Sequence, residues 1–235
     1  MAKRKAASKT AKTAKTAASP TDPLGADPVY AALALIAETG WLKLSLHAVA
    51  ERSGLGLAEL YRRYSSKAAL LRGFAARIDA TMLAALGPFD AAETGDSAET
   101  GGGDAVRDRL FEAVMARLDA LAPHKPAMQV LARELPRDPA VAICFAADGL
   151  AKALDWTLAA AGLDAAGLQG LLRRKALGAV YLDTLRIWLK DDEPDLARTM
   201  AHLDKRLRQA QPFLLGRTGP SSGEGFLSLL RRKTT

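Results

Sequence analysis

Three histidines, one cysteine and an acidic run are the residues here whose types could hold a metal or move a proton. His47, His124 and His202 stand far apart, and none pairs with another ligand type at three or four residues in a known metal pattern. Cys144 is the only cysteine, which excludes an internal disulfide, a Cys-rich zinc site and an iron–sulfur cluster. Within Ala142-Ile143-Cys144-Phe145 it is expected to pack as a small buried hydrophobe, with a redox switch as the alternative. Gly219-Pro220-Ser221-Ser222-Gly223 spells G-x-S-x-G, but that nucleophile works only where a strand turns sharply into a helix, and this stretch reads as a linker. Asp191-Asp192-Glu193 with Asp195 surrounds Pro194 and reads as negative charge at a helix N-terminus, with a hard-cation site as the alternative. No phosphate-binding glycine pattern occurs in a βαβ setting. The expectation is a chain with no catalytic residue, no cofactor and no metal, hence not an enzyme.

Charge is distributed unevenly. Of a formal +7, residues 1–20 hold +6 and residues 217–235 hold +3, which leaves the body 21–216 at −2. Basic ends on a slightly acidic body are therefore what raise the isoelectric point. The longest apolar runs, Pro28–Ala37 and Ala80–Phe89, fall short of the ~18 residues of a membrane span. No apolar stretch of signal-peptide type follows the basic start, and the chain contains no Asn and so no N-glycosylation acceptor. A cytoplasmic location is expected.

The elements that must position any function are helices. Residues 1–26 are a Lys-rich tail, with Lys-Thr-Ala repeats over Lys9–Ala17 that hold no large apolar residue; it is expected to be disordered and to serve either as a DNA-binding arm or as a solvated tail. From Asp27 the apolar periodicity is helical, and no stretch alternates with period two. Asp27-Pro28, Ser45 and Ser65 or Ser66 are helix starts, and Gly40 and Gly54 are stops. They frame a helix through Val29, Leu33 and Ile36, a second through Val49 and Ala50, a short third over Leu57–Tyr64, and a long fourth reaching Leu86. A helix, a glycine-led turn and a short following helix make a helix-turn-helix. Residues 87–104 read as an acidic loop. Further helices are expected near Ala105–Leu121, Pro126–Leu135, Pro139–Ala161, Ala165–Lys190 and Pro194–Gln211. The expected division is 1–26 tail, 27–72 helix-turn-helix, 73–215 helical ligand-binding and dimerisation bundle, and 216–235 linker plus a short basic amphipathic segment, Phe226–Lys233. The fold class is all-α.

Val49-Ala50-Glu51-Arg52-Ser53-Gly54-Leu55, Leu60-Tyr61-Arg62-Arg63-Tyr64 and Ser66-Lys67-Ala68-Ala69-Leu70-Leu71 resemble the N-terminal domain of TetR-family regulators over about residues 27–75. The resemblance implies an all-helical homodimer whose N-terminal triple helix binds double-stranded DNA and whose C-terminal bundle dimerises and holds a ligand. It implies phosphate contacts from Ser45, Tyr61, Arg63 and Lys67, with Leu57, Ala58, Glu59 and Arg62 facing the groove. A carboxylate such as Glu59 can accept from a cytosine amino group. Gly56 and Leu57 depart from the family, which usually has a serine-like cap and a polar residue there.

Leu185-Arg186-Ile187-Trp188-Leu189-Lys190-Asp191-Asp192, followed by Asp195, Thr199, Leu203 and Arg206-Leu207, resembles the lipid-binding accessory proteins of ubiquinone biosynthesis, which share the TetR fold. That resemblance covers roughly residues 105–211. It implies an isoprenoid lipid in the bundle and a C-terminal amphipathic helix at the membrane, a part that Phe226–Lys233 would play. Phe111, Met115, Met128, Phe145, Trp156, Tyr181 and Trp188 supply apolar lining for a small apolar or lipid-like ligand, or are ordinary core. Tyr181 and Trp188 share a helix face and could equally belong to a dimer interface. The favoured function is a ligand-responsive repressor that binds a palindromic operator as a homodimer. The alternative is a lipid-binding accessory protein at a membrane surface whose helix-turn-helix no longer reads DNA.

Overall fold

The computed structural model describes residues 27–87 and 102–216. The Lys-rich tail, most of the acidic loop, the Gly219–Gly223 string and Phe226–Lys233 lie outside the described residues.

Local chemistry sets the first four helices where the sequence places them. Helix α1 (Pro28–Thr39) starts on Asp27, whose carboxylate accepts the Val29 N–H at 2.9 Å ahead of a proline with no N–H to satisfy. Helix α2 (Leu46–Ser53) starts on Ser45, whose Oγ accepts the Ala48 N–H at 3.1 Å, and stops at Gly54 in the left-handed conformation. Helix α3 (Leu57–Arg63) follows Gly56 with no side-chain cap. Helix α4 (Lys67–Leu86) starts on Ser66, whose Oγ accepts the Ala69 N–H at 3.1 Å. Val29, Leu33, Ile36, Trp41, Val49, Ala50, Leu60, Leu70 and Phe74 close a dry core between these helices.

Helix α4 continues past residue 72 and belongs to both halves of the chain: Leu70 and Phe74 pack toward α1, while Ile78 and Met82 pack into the bundle. The bundle comprises α5 (Gly102–Leu121), α6 (Lys125–Glu134), α7 (Pro139–Cys144), α8 (Ala151–Ala160), α9 (Gly167–Trp188) and α10 (Ala197–Leu214). Helices α9 and α10 run antiparallel in a fixed register. Arg173 Nε donates to the Leu214 carbonyl at 2.8 Å, and Asp183 faces His202 and Arg206 at 3.1 and 3.0 Å. No strand occurs among the described residues.

Two expectations are corrected. The helix expected as one piece over Pro139–Ala161 is interrupted by a π turn, Phe145–Leu150, between α7 and α8. Cys144 is exposed rather than buried. The thiol is exposed because no element covers this side of the short α7, where Ile143 beside it is 68% exposed as well. A redox role for the thiol draws no support from its surroundings, since no second cysteine exists.

Helix α6 joins the two halves. Glu134 Oε2 accepts the Leu42 N–H at 3.1 Å, and Asp138, just beyond α6, accepts from Trp41 Nε1 at 3.3 Å. Gly40, at φ +95°, brings the α1–α2 turn against Glu134, where an added Cβ would stand 3.0 Å from the carboxylate. At the other end of α6, His124 stacks on Tyr30 with centroids 5.4 Å apart and meets Phe74 edge-on at 5.3 Å.

Candidate nucleic-acid interface

The α2–α3 face is built by burying one side of each short helix. Val49, Ala50 and Leu60 are within 2% of full burial, which turns Leu57, Ala58, Tyr61 and Arg62 outward together on α3. Positions i, i+1, i+4 and i+5 share a helical face, so these four side chains form one surface. It is unusual in content: Leu57 is 51% and Tyr61 65% exposed, with one cation beside them. Among the described residues Arg62 makes no ion pair.

Charge on the rest of the face is largely internal. Arg63 Nη2 donates to Glu59 Oε1 at 2.5 Å, and Arg52 grips Glu38 through two bonds of 3.0 and 2.7 Å that hold the Glu38 carboxyl below its ordinary value. Glu59 thus sits half-buried against Arg63 rather than free for a cytosine amino group, and Arg63 is shared between that carboxylate and any phosphate. This pairing was legible in the sequence, since residues four apart on a helix are neighbours. Ser45 accepts from Ala48 N–H and keeps its own O–H to donate. Lys67 stands at the first turn of α4 with Nζ 5.1 Å above the buried Trp41 ring, a cation–π placement that orders a side chain usually free to roam. Lys43 and Leu42 in the α1–α2 turn are likewise exposed, and neither is singled out by the sequence alone.

The apolar candidates of the bundle are not brought into one chamber. Phe111 and Met115 line a shallow cleft of about 410 Å³ with Leu86, Arg109 and Met200. Trp156, 52% exposed, lies on a groove of about 510 Å³ between α4, the π turn and α8, whereas Phe145, at the start of that turn, packs on the core and does not line the groove. Met128 is half-buried on α6, packed on the core. Tyr181 and Trp188 are buried inside the single chain, which removes them from any dimer interface. Each carries a cation on its ring: Arg117, paired with buried Asp79, lies 5.6 Å from Tyr181, and Lys125 lies 5.4 Å from Trp188.

The second signature forms the corner between α9 and α10. Asp191 Oδ2 accepts from Thr199 N–H at 3.0 Å and from Thr199 O–H at 2.6 Å, and the Thr199 hydroxyl chiefly holds the carboxyl below its ordinary value. Lys125 Nζ donates to the Asp191 carbonyl at 2.5 Å, and Gln129 Nε2 to the Leu189 carbonyl at 2.9 Å, which ties the corner to α6. The acidic run therefore serves the start of α10. Among the described residues no three His, Cys, Asp or Glu side chains gather as a metal site, and no helix is long and apolar enough to cross a membrane.

Residues 29–73 match the family of bacterial regulatory proteins, tetR family, and residues 143–213 match the COQ9 family. A solved TetR transcriptional regulator from Nitrosomonas europaea superposes with a TM-score of 0.57 at 24% identity, covering 80% of this chain and 98% of that one. The chain shares the fold of that structure. No curated protein matches the chain. Both family matches lie on a single TetR-type fold: the first spans the triple helix and the start of α4, the second the π turn through α10.

Proposed function

We propose that this TetR-fold chain is a ligand-responsive DNA-binding repressor that grips a palindromic operator as a homodimer, and that it catalyses no reaction. The observation that carries the reading is the outward face of α3. Leu60 anchors the helix, and Leu57, Ala58, Tyr61 and Arg62 are left to a groove while Ser45 and Lys67 flank them for phosphates. In a helix-turn-helix the N-terminal residues of this helix meet base edges. Leu57 and Ala58 fit the methyl of thymine, and unpaired Arg62 fits the acceptor edge of guanine.

Dimerisation is supported by α9, whose Leu168, Leu171 and Leu182 are exposed at spacings that place them on one stripe with Lys175. Two copies would set their α3 helices on half-sites roughly 34 Å apart. A ligand with unequal affinity for two spacings of the triple helices would then release the DNA.

The test is DNA binding of a chain beginning at Thr21, which lacks the six cations of the tail, on its own upstream region against unrelated competitor at ~0.15 M salt. A protected, two-fold symmetric site is expected. Equal binding to competitor would leave the triple helix as scaffold and favour the second reading, a lipid-binding accessory protein at a membrane surface. That reading draws on the match over residues 143–213 and predicts apolar lipid in the purified protein. It also predicts loss of vesicle binding when Phe226–Thr235 is removed.

A further inference from the structure

We propose that the groove between α4, the π turn and α8 is a binding site for an amphiphilic carboxylate, with the anionic head on Arg72 and Lys152 and the apolar body along α4 against Trp156. The inference deepens the ligand half of the reading above and is tested without DNA, so failure of either shows separately.

Four observations converge on the groove. Its volume, about 510 Å³, lies in the usual range for small-molecule sites. Its floor is paved by small residues of α4, Ala69, Gly73, Ala76 and Ala80, spaced to lie on one face. Charge at its rim is unbalanced: Arg72 Nε and Lys152 Nζ share the single carboxylate of Asp148, at 3.4 and 2.8 Å. One positive charge is left over, while the deeper Asp79 is already paired with Arg117. Finally, Asp148 and Gly149 reach the groove because the wall is a π turn, a wide turn rare in proteins and concentrated at functional sites.

Together these fit a molecule with one negative charge and an apolar chain or ring, and they disfavour a cation or a neutral polar solute. The far end of the groove is lined by Arg63 and Tyr64, the close of α3 and its following turn. An occupant of this site therefore touches the segment that orients the DNA-facing helix.

The three tryptophans supply the readout. Trp41 and Trp188 are buried and Trp156 is exposed, so an emission shift on ligand addition reports the groove. The full chain is titrated with decanoate below its micellar range, with decanol and decyltrimethylammonium as neutral and cationic counterparts of equal length. Decanoate is expected to shift the emission to the blue and to bind at least tenfold more tightly than either counterpart. Trp156→Phe removes the shift while calorimetry still detects binding. Ala76→Phe fills the floor, and Lys152→Glu reverses the surplus charge; both lie on exposed positions, and each is expected to weaken decanoate at least tenfold with unchanged thermal melting. Equal binding of the three probes, or decanoate binding indifferent to Ala76→Phe and Lys152→Glu, overturns the site. A shift with acidic phospholipid vesicles and none with decanoate also overturns it, because Trp156 would then be meeting a membrane.

Discussion

The outward face of α3 and the corner between α9 and α10 each hold a short sequence signature, and their side chains are disposed in opposite ways. At the corner Trp188, Asp191, Thr199 and Leu207 are buried and bond or pack to one another. On α3 the signature splits: Leu60 goes into the core, and Leu57, Tyr61 and Arg62 stand in solvent. A buried, internally satisfied constellation is accounted for by folding alone. An exposed leucine and tyrosine on one face of a seven-residue helix gain nothing from the core, and under the proposed reading they are left to a DNA groove. The corner is thus accounted for by architecture and the α3 face is what the proposed DNA reading rests on, although each lies in a stretch that matches a family.

The contrast is broken most forcefully by truncating each region. Trp188→Ala removes a fully buried indole and is expected to cost about 3–5 kcal/mol, read as a lowered urea midpoint. Tyr61→Ala, at an exposed position, is expected to change stability by no more than about 0.5 kcal/mol while lowering DNA affinity. A large stability loss from Tyr61→Ala would make α3 an architectural element like the corner.

Within the α3 face, the residues divide by what they touch. Arg62→Ala is expected to cost about 1–3 kcal/mol on the best site and to relax preference at one base pair. Replacing thymine by deoxyuridine in that site, which deletes only the methyl, should weaken wild type and leave Leu57→Ala nearly indifferent. Identical responses of the two proteins would show that Leu57 faces no thymine. Lys67→Ala should weaken all sequences alike and reduce the salt slope by about one phosphate's worth. A sequence-dependent effect of Lys67→Ala would move it from backbone to base.

What could be read in the chain was what neighbouring residues decide. Asp27, Ser45 and Ser66 each cap the helix they precede, because a short polar side chain reaches an N–H two or three residues on. The all-α class and the triple helix follow from such caps and from apolar spacing. The Glu59–Arg63 pair is equally local, and it takes up the carboxylate that the family resemblance assigns to the groove. The groove was not legible: Arg72 and Asp148 are 76 positions apart and meet through tertiary packing, and the π turn that presents Asp148 has no local signal. Cys144 departs from its expected burial because periodicity reports which face is apolar, not whether a partner covers it.

The smallest effect, and the finest test of the contrast, is the response to acid. Asp191 at the corner has its carboxyl held below the ordinary 3.8, first by the Thr199 hydroxyl. The stability it contributes is complete above that value and lost as pH falls through the lowered one. His124, at the joint of the triple helix and bundle, is pushed below the ordinary 6.5 by desolvation among Tyr30 and Phe74; the other charged groups near this joint, Arg77 on the Tyr30 ring and Asp27, pair with each other. The unfolded chain binds this proton more readily than the folded one. Stability is therefore full above about pH 6.5 and declines as pH falls from there toward the lowered value. Urea midpoints between pH 7.5 and 5 should accordingly fall slightly in wild type, and His124→Phe, which keeps a ring between Tyr30 and Phe74, should flatten that segment. The same substitution should leave the decline below pH 4 intact, since that belongs to carboxyls held low, Asp191 at the corner and Glu38 beside Arg52 among them. A profile unchanged by His124→Phe between pH 7.5 and 5 would place the titrating group elsewhere and leave the joint as insensitive to pH in this range as the corner.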